Sequence, residues 1–186
     1  GVAGSGKTEL YIKISDLIAS KKGQILIVVP EINLTPQTLE RFKKYLNFNV
    51  DTYHSSLSEN EKLNVWLNTK NGYLDIIVGT RSSIFLPFKN LKAIIIDEEH
   101  DLSLKQQEKF KYHARDLSII RAKNNNLPII LGSATPSFES LYNCKIKKYK
   151  HLELRKRFFS PTLPKIILVD LNKDIPDEGL SSELKK

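Results

Sequence analysis

The chain begins with Gly1-Val2-Ala3-Gly4-Ser5-Gly6-Lys7-Thr8, which fits the pattern G-x-x-x-x-G-K-[ST]. In this pattern the glycines allow backbone N–H groups to surround phosphate oxygens, and a helix starts at the end of the loop. The Lys7 ammonium can reach the outer phosphates, and the Thr8 hydroxyl can bind Mg²⁺. The predicted phosphate-binding residues are Gly1, Gly4, Ser5, Gly6, Lys7 and Thr8.

A second polar string, Asp97-Glu98-Glu99-His100, follows the apolar run 93–96. If this run is a strand, it delivers two carboxylates to the edge of the sheet where the phosphate loop also lies. Asp97 would then hold Mg²⁺ through its water shell, and Glu98 would polarise the attacking water. By itself the string could be a solvated strand end. The two strings in this order predict binding of ATP or GTP, with Glu98, Asp97 and Lys7 as catalytic residues.

Short apolar runs alternate with amphipathic segments along the first 150 residues. Leu10, Ile14, Leu17 and Ile18 have the spacing of one helix face, and Ser58 with Glu61 forms a capping box at the start of another helix. Further helices are predicted from Thr35-Pro36 and over residues 114–123. The predicted strands are 25–29, 48–53, 76–78, 93–96 and 129–131. This alternation predicts an α/β fold, a mostly parallel sheet with helices on both faces.

Polar clusters follow several of the predicted strands, and ligands of such folds gather at the carboxyl ends of the strands. The clusters are Glu31, Thr80-Arg81-Ser82, Asp97-Glu98 and Ser133-Ala134-Thr135. We therefore expect them to share one edge of the sheet.

Composition limits the partners and the compartment. The net charge is +8, and residues 101–186 carry +7 of it, so the second half is a candidate surface for a polyanion or an ordinary solvated face. No apolar run approaches the length of a membrane span and the first residues do not form a signal peptide, so we expect a cytoplasmic protein without a membrane partner. Cys144 is the single cysteine, which excludes an intrachain disulfide and a cysteine-clustered zinc site in this chain.

Five strings occur in an order that resembles motifs I, Ia, Ib, II and III of superfamily two helicases. They are GVAGSGKTE at 1–9, VVPEINLTPQ at 28–37, VGTRSSIF at 78–85, DEEH at 97–100 and GSATPS at 132–137. The runs KQQE at 105–108 and YHARD at 112–116 are similar to those of the primosomal replication-restart helicases within this superfamily. The resemblance covers nearly the whole chain.

The resemblance implies a P-loop NTPase lobe of the RecA-like type that uses ATP and Mg²⁺. It assigns Pro30, Thr35, Thr80 and Arg81 to the path of single-stranded DNA, and Ser133, Ala134 and Thr135 to coupling hydrolysis with domain movement. The segment 101–115 resembles the aromatic-rich loop of related helicases, although Leu104 and Phe110 stand where tyrosine and tryptophan are usual. Phe110 and Tyr112 would stack on bases, or would instead form the aromatic core of a helix.

The resemblance further implies a 3′ to 5′ DNA helicase of replication restart and primosome assembly, with single-stranded and forked DNA, primosome proteins and single-strand-binding proteins as partners. Zinc is expected only in a part of the protein outside this chain.

Residues 1–143 would be the lobe without its first strand, 144–170 a basic extension, and 171–186 a linker towards an absent second lobe. The fragment alone would be nearly inactive. Another superfamily two translocase and a non-catalytic nucleic-acid-binding module are the alternatives, and a small-molecule kinase would leave the later strand ends unexplained.

Overall fold

A computed structural model describes residues 6–34, 36–154, 167–170, 180, 181 and 184. The helices in this part are α1 (Lys7–Ala19), α2 (Pro36–Tyr45), α3 (Glu59–Asn71), α4 (Ala114–Asn124) and α5 (Phe138–Lys145). The strands are β1 (Gln24–Val28), β2 (Val50–Tyr53), β3 (Ile76–Gly79), β4 (Leu91–Ile96), β5 (Lys105–Gln106), β6 (Tyr112–His113) and β7 (Ile129–Leu131). Short 3₁₀ helices cover Glu31–Asn33, Arg81–Phe85 and Leu102–Leu104.

Five strands form one parallel sheet in the order β2-β3-β1-β4-β7. Strand β1 lies in the centre, where Ile25 pairs with Ile76 on one side and Ala93 on the other. All five of its residues are buried, as expected for an apolar run without alternation. The predicted parallel sheet is confirmed, and every predicted strand is present with small shifts at its ends.

Helices cover both faces of this sheet, as predicted. On one face Tyr11 and Ile12 of α1 and Phe42 of α2 pack with the odd-numbered residues of β1. On the other face Val65 of α3 and Ala122 of α4 pack with its even-numbered residues. The period of two along a strand thus divides one apolar run between two hydrophobic cores.

The apolar face predicted for α1 is only partly correct. Ile14 and Ile18 pack against the core, but Leu10 is 40% exposed and Leu17 is 58% exposed. The most buried positions are Tyr11, Ile12, Ser15 and Ala19. Because Ser15 and Ala19 are small, they allow the helix to lie close to the sheet, and a search for large apolar residues does not detect them.

The capping box of α3 is confirmed. The Ser58 hydroxyl accepts from the Glu61 N–H at 3.3 Å, and the Glu61 carboxylate accepts from the Ser58 N–H at 2.8 Å. The helix ends at Gly72, whose φ of 78° is a left-handed conformation that favours glycine. These local signals fix both ends of α3.

Some of the predicted features lie outside the described residues. They are Gly1, Gly4 and Ser5 of the phosphate loop, Thr35, residues 155–166 of the basic extension and most of the linker 171–186. Among the helices that the structure describes, none combines the length and the hydropathy needed to cross a membrane.

Candidate nucleotide and nucleic-acid site

The polar clusters predicted at the strand ends do lie along one edge of the sheet. The Asp97 N–H donates to the carbonyl of Val28 at 2.8 Å, and the Gly132 N–H donates to the carbonyl of Ile96 at 2.8 Å. These bonds continue the ladder beyond the last residues of β1, β4 and β7. Asp97 and the residues after Gly132 therefore lie at the carboxyl ends of neighbouring strands, next to the start of α1.

Lys7 lies between the two predicted catalytic carboxylates. Its Nζ donates to Glu98 Oε1 at 2.5 Å and is 3.7 Å from Asp97 Oδ1. The side chain of Lys7 is only 17% exposed, that of Glu98 26% and that of Asp97 18%, so the charges interact in a partly dry environment. The fold thus brings Lys7 to a carboxylate that lies 91 positions further along the chain, and to its neighbour Asp97.

Asp97 has a second partner that the sequence analysis missed. The Tyr11 hydroxyl donates to Asp97 Oδ1 at 2.9 Å. Burial raises the pKa of the Asp97 carboxyl above its usual value, and the Lys7 ammonium opposes this effect. Burial also raises the pKa of the Tyr11 phenol, and the nearby Asp97 adds to it. Tyr11 is therefore a permanent donor, and its position one helical turn after Lys7 was the signal that could have revealed it.

The start of α1 and the carboxylates suit a triphosphate with Mg²⁺. Helix α1 follows Gly6, whose φ of 84° is in the left-handed region, and its first N–H groups have no partner within the helix. A hydroxyl from Thr8 and a carboxylate from Asp97 are the oxygen donors that Mg²⁺ prefers. Asp97 and Glu98 together outweigh the single charge of Lys7, so the local charge balance also favours an added cation. The residues present therefore fit both groups.

His100 connects this carboxylate pair to the predicted coupling residues. Its Nδ1 is 2.8 Å from Ser133 Oγ and 3.7 Å from Glu98 Oε2, while its Nε2 is 3.2 Å from Thr135 Oγ1. Ser133 Oγ also accepts from the Thr135 N–H at 2.9 Å, and Ala134 lies half-buried between them. The structure thus places Ser133 and Thr135 in hydrogen-bonding contact with His100 of the DEEH string, with Ala134 between them in the chain.

Glu99 forms a second connection that sequence reasoning did not find. It is 1% exposed, and its carboxylate accepts from the Ser137 N–H at 2.7 Å and from Arg115 Nη1 at 3.1 Å. Burial by itself would raise the pKa of Glu99, but these hydrogen bonds outweigh burial and the pKa is lowered. Glu99 therefore stays ionised. It ties Arg115, the second residue of α4, and Ser137, the N-cap of α5, to the end of β4.

The predicted DNA-contacting residues differ in their exposure. Arg81 is 31% exposed, donates from Nη1 to the carbonyl of Ser103 at 3.2 Å and lies 3.9 Å from Glu31. Pro30 is buried and Thr80 is 2% exposed. Of these three, Arg81 is the one with a partly exposed and charged side chain.

Phe110 and Tyr112 do not form the core of a helix. Tyr112 is in strand β6, which pairs with β5 in a short antiparallel hairpin, and Phe110 is 70% exposed. Their ring centroids are 5.9 Å apart, and the Phe85 ring lies 5.0 Å from Tyr112 and 6.4 Å from Phe110. We call Phe85, Phe110 and Tyr112 the aromatic trio. Leu104, in contrast, is fully buried and is unavailable for stacking.

Comparisons with known proteins identify relatives of this chain. The chain is 47% identical over 184 residues to the replication restart protein PriA of Haemophilus influenzae, covering 99% of this chain and 25% of that protein. It is 42% identical over 175 residues to PriA of Bacillus subtilis, covering 94% of this chain and 22% of that protein. The chain therefore spans about a quarter of the length of the curated relatives that it matches.

Solved structures give the same fold. A structure of RecG bound to a three-way DNA junction matches with a TM-score of 0.53 and 25% identity, over 77% of this chain and 18% of that one. The C-terminal domain of S. cerevisiae Dbp5 matches with a TM-score of 0.54 over 82% of this chain and 83% of that one; at 10% identity it supports the RecA-like fold alone. The profile of the DEAD/DEAH box helicases matches residues 1–144. Because this match covers most of the chain, the chain belongs to the DEAD/DEAH box helicase family.

Proposed function

We propose that this chain is the ATP-binding motor lobe of a 3′ to 5′ DNA helicase that acts in replication restart and primosome assembly. The observation that carries the proposal is the contact of Lys7 with both Glu98 and Asp97 at the edge of the sheet. Similarity to replication restart protein PriA over nearly the whole chain supports the biological process.

In this proposal Gly1, Gly4, Ser5 and Gly6 surround the phosphates, and Thr8 with Asp97 holds Mg²⁺, which neutralises phosphate charge when bound. The ion pair between Lys7 and Glu98 is the resting arrangement. When Lys7 turns to a phosphate, the Glu98 carboxylate is released and can accept a proton from the attacking water. The pair thus couples occupancy of the loop to the availability of the base.

The remaining residues transmit this change to DNA. His100 links Glu98 to Ser133 and Thr135, so a movement of the carboxylate reaches the segment that precedes α5. Arg81 binds phosphates of the single strand and the rings of Phe110 and Tyr112 stack on its bases, with Pro30, Thr35 and Thr80 along the same path. Grip and release then alternate with hydrolysis.

The resemblance of the sequence motifs supports wider proposals. We propose single-stranded and forked DNA as substrates, primosome and single-strand-binding proteins as partners, and the cytoplasm as the compartment. Residues 1–143 form the lobe, 144–170 a basic extension and 171–186 a linker to a second lobe, and zinc binds elsewhere in the longer protein.

ATP hydrolysis by the intact protein tests the proposal. We expect turnover that single-stranded and forked DNA stimulate, that Lys7→Ala abolishes, and that Lys13→Ala, an exposed lysine on the same helix, leaves unchanged. Turnover that is indifferent to DNA would overturn the helicase assignment.

Asp97→Ala separates a motor from a non-catalytic binding module. The motor requires Asp97 for unwinding but not for contact with the strand, so unwinding is lost while DNA binding is retained. If the function of the full-length protein were unchanged by Asp97→Ala, the binding module would be favoured.

A further inference from the structure

The aromatic trio joins two segments that the sequence analysis treated separately. Phe110 and Tyr112 belong to the hairpin of β5 and β6, whereas Phe85 is the last residue of the 3₁₀ helix Arg81–Phe85. The Phe85 ring meets the Tyr112 ring edge to face, with an interplanar angle of 75°. This contact connects the segment that carries Arg81 to the predicted stacking residues.

We propose that Phe85 is a third base-stacking residue of the single-stranded DNA path. The inference rests on the proposed function and adds to it a contact with a nucleobase from the segment that otherwise supplies the phosphate contact of Arg81. The trio would then be one stacking surface with rings from two segments.

The exposure of Phe85 is unusual for its position. Its neighbours Ser83, Ile84 and Leu86 are 0%, 4% and 1% exposed, yet Phe85 itself is 54% exposed. The segment could bury this ring only at the expense of residues that already fill the core beneath α4. The ring therefore offers apolar surface to solvent, next to Phe110, which is 70% exposed. A flat apolar surface made of aromatic rings suits a nucleobase, because every base has a π-face.

Arg121 of α4 fixes the position of Phe85 from the inside. Its guanidinium donates to the carbonyl of Ile84 and, at 2.8 Å, to the carbonyl of Leu86, the two residues that flank Phe85. It also lies 5.4 Å from the centre of the Phe88 ring. Both carbonyls are thus held by one rigid group, so the Phe85 ring is oriented before any ligand arrives, which lowers the entropy cost of stacking.

Charge around the trio is suited to a nucleic acid strand. Arg81 begins the 3₁₀ helix that Phe85 ends. Burial raises the pKa of the Tyr112 phenol, and the positive charge of Arg81 opposes this effect. Lys105 and Lys111 line a cavity of about 390 Å³ beside Tyr112 in the hairpin. A strand that places a base on the rings therefore has cationic groups within reach of its phosphates.

Binding to normal and abasic DNA separates stacking from phosphate contact. The intact protein is titrated into fluorescent oligothymidine and into an oligonucleotide of equal length that has no bases. We expect Phe85→Ala to raise the Kd for oligothymidine about tenfold and to leave the Kd for abasic DNA unchanged. Phe85→Trp should keep tight binding to oligothymidine, because it restores an aromatic face.

Two further variants make the outcome decisive. Phe85→Leu keeps apolar volume against Tyr112 but removes the ring, so it should lose the same base-dependent binding with an unchanged midpoint of thermal unfolding. Phe138→Ala removes an exposed phenylalanine outside the trio and should change neither Kd. Equal weakening on both oligonucleotides, or no weakening at all, overturns the role of Phe85. If the unsubstituted protein binds neither oligonucleotide, the proposed function itself fails.

Discussion

Two neighbouring glutamates in the DEEH string have different environments. Glu98 is 26% exposed and faces Lys7, while Glu99 is 1% exposed and is enclosed by Arg115 and Ser137. The φ of Glu98 is 44°, a left-handed conformation that is uncommon for a residue with a side chain. This backbone turn after β4 directs successive carboxylates to different partners, one towards the nucleotide edge and one into the interior.

Removal of Arg115 should destabilise the protein strongly. Arg115→Ala leaves the buried carboxylate of Glu99 without its cation, and we expect the free energy of unfolding to fall by about 3 kcal/mol. Urea unfolding measures this change. Asp116→Asn is the matched control, because it removes the exposed partner of the same arginine and should cost less than about 0.5 kcal/mol. A loss below about 1 kcal/mol for Arg115→Ala would show that the buried pair contributes little.

The residues that carry a motif were predictable, and the residues that support them were not. Lys7, Asp97 and Glu98 follow from two short strings whose spacing has a chemical meaning. Tyr11 follows Lys7 by one helical turn and Arg115 belongs to the run YHARD, but neither feature identifies Asp97 or Glu99 as the partner, because the partners depend on how α1 and α4 lie against the sheet. A tyrosine or arginine on a helix surface has many possible partners until the packing selects one.

At the scale of elements, α1 and the end of β7 approach each other closely at one point. A Cβ atom placed on Gly132 would lie 1.8 Å from the Tyr11 hydroxyl oxygen, so alanine at this position must displace the tyrosine. Displacement breaks the hydrogen bond from Tyr11 to Asp97. Glycine is therefore required here by close approach, although the motif string alone gives no reason for it.

Gly132→Ala should lower the free energy of unfolding by about 1 to 3 kcal/mol through this overlap. Tyr11→Phe in the same chain removes the atom that overlaps, so the double variant should regain part of the loss, and urea unfolding of the four forms measures the coupling. Tyr73→Phe, at a tyrosine that is 66% exposed, should restore nothing. Strictly additive effects of Gly132→Ala and Tyr11→Phe would contradict the proposed overlap.

Helix faces were predicted less well than helix ends. Ser58 and Gly72 mark the ends of α3 through local hydrogen bonds, so the sequence contains the necessary information. The buried face of α1 depends instead on the small residues Ser15 and Ala19, which are 0% and 4% exposed. Large apolar residues such as Leu17 predicted the helix correctly, but they did not predict which of its faces packs against the sheet.

At the scale of the whole molecule, the sequence predicted parallel strands but not their order. The order β2-β3-β1-β4-β7 puts β1 between β3 and β4. The carboxyl end of β3, which precedes Arg81, and the carboxyl end of β4, which precedes Asp97, therefore lie on opposite sides of one central strand. The proposed nucleotide site and the segment proposed to contact DNA are therefore separated by a single strand. No local pattern encodes this arrangement, because it depends on which face of the sheet each of the helices α1 to α4 covers.

The last prediction concerns residues 1–186 as an isolated polypeptide. The resemblance to two-lobe helicases implies that a second lobe supplies an arginine to the transition state, a contribution of about 10³ to 10⁵ in rate where such arginines have been dissected. Lys7, Asp97 and Glu98 are assembled within this chain, so they can retain weak nucleotide binding without that arginine. We therefore expect the isolated polypeptide to bind ATP weakly, and steady-state hydrolysis to stay near background with or without saturating single-stranded DNA. The intact protein under the same conditions is the positive control, and its Lys7→Ala variant defines the background. Robust DNA-stimulated hydrolysis by the isolated polypeptide would mean that the groups of this lobe are sufficient and that no second lobe takes part in the chemical step.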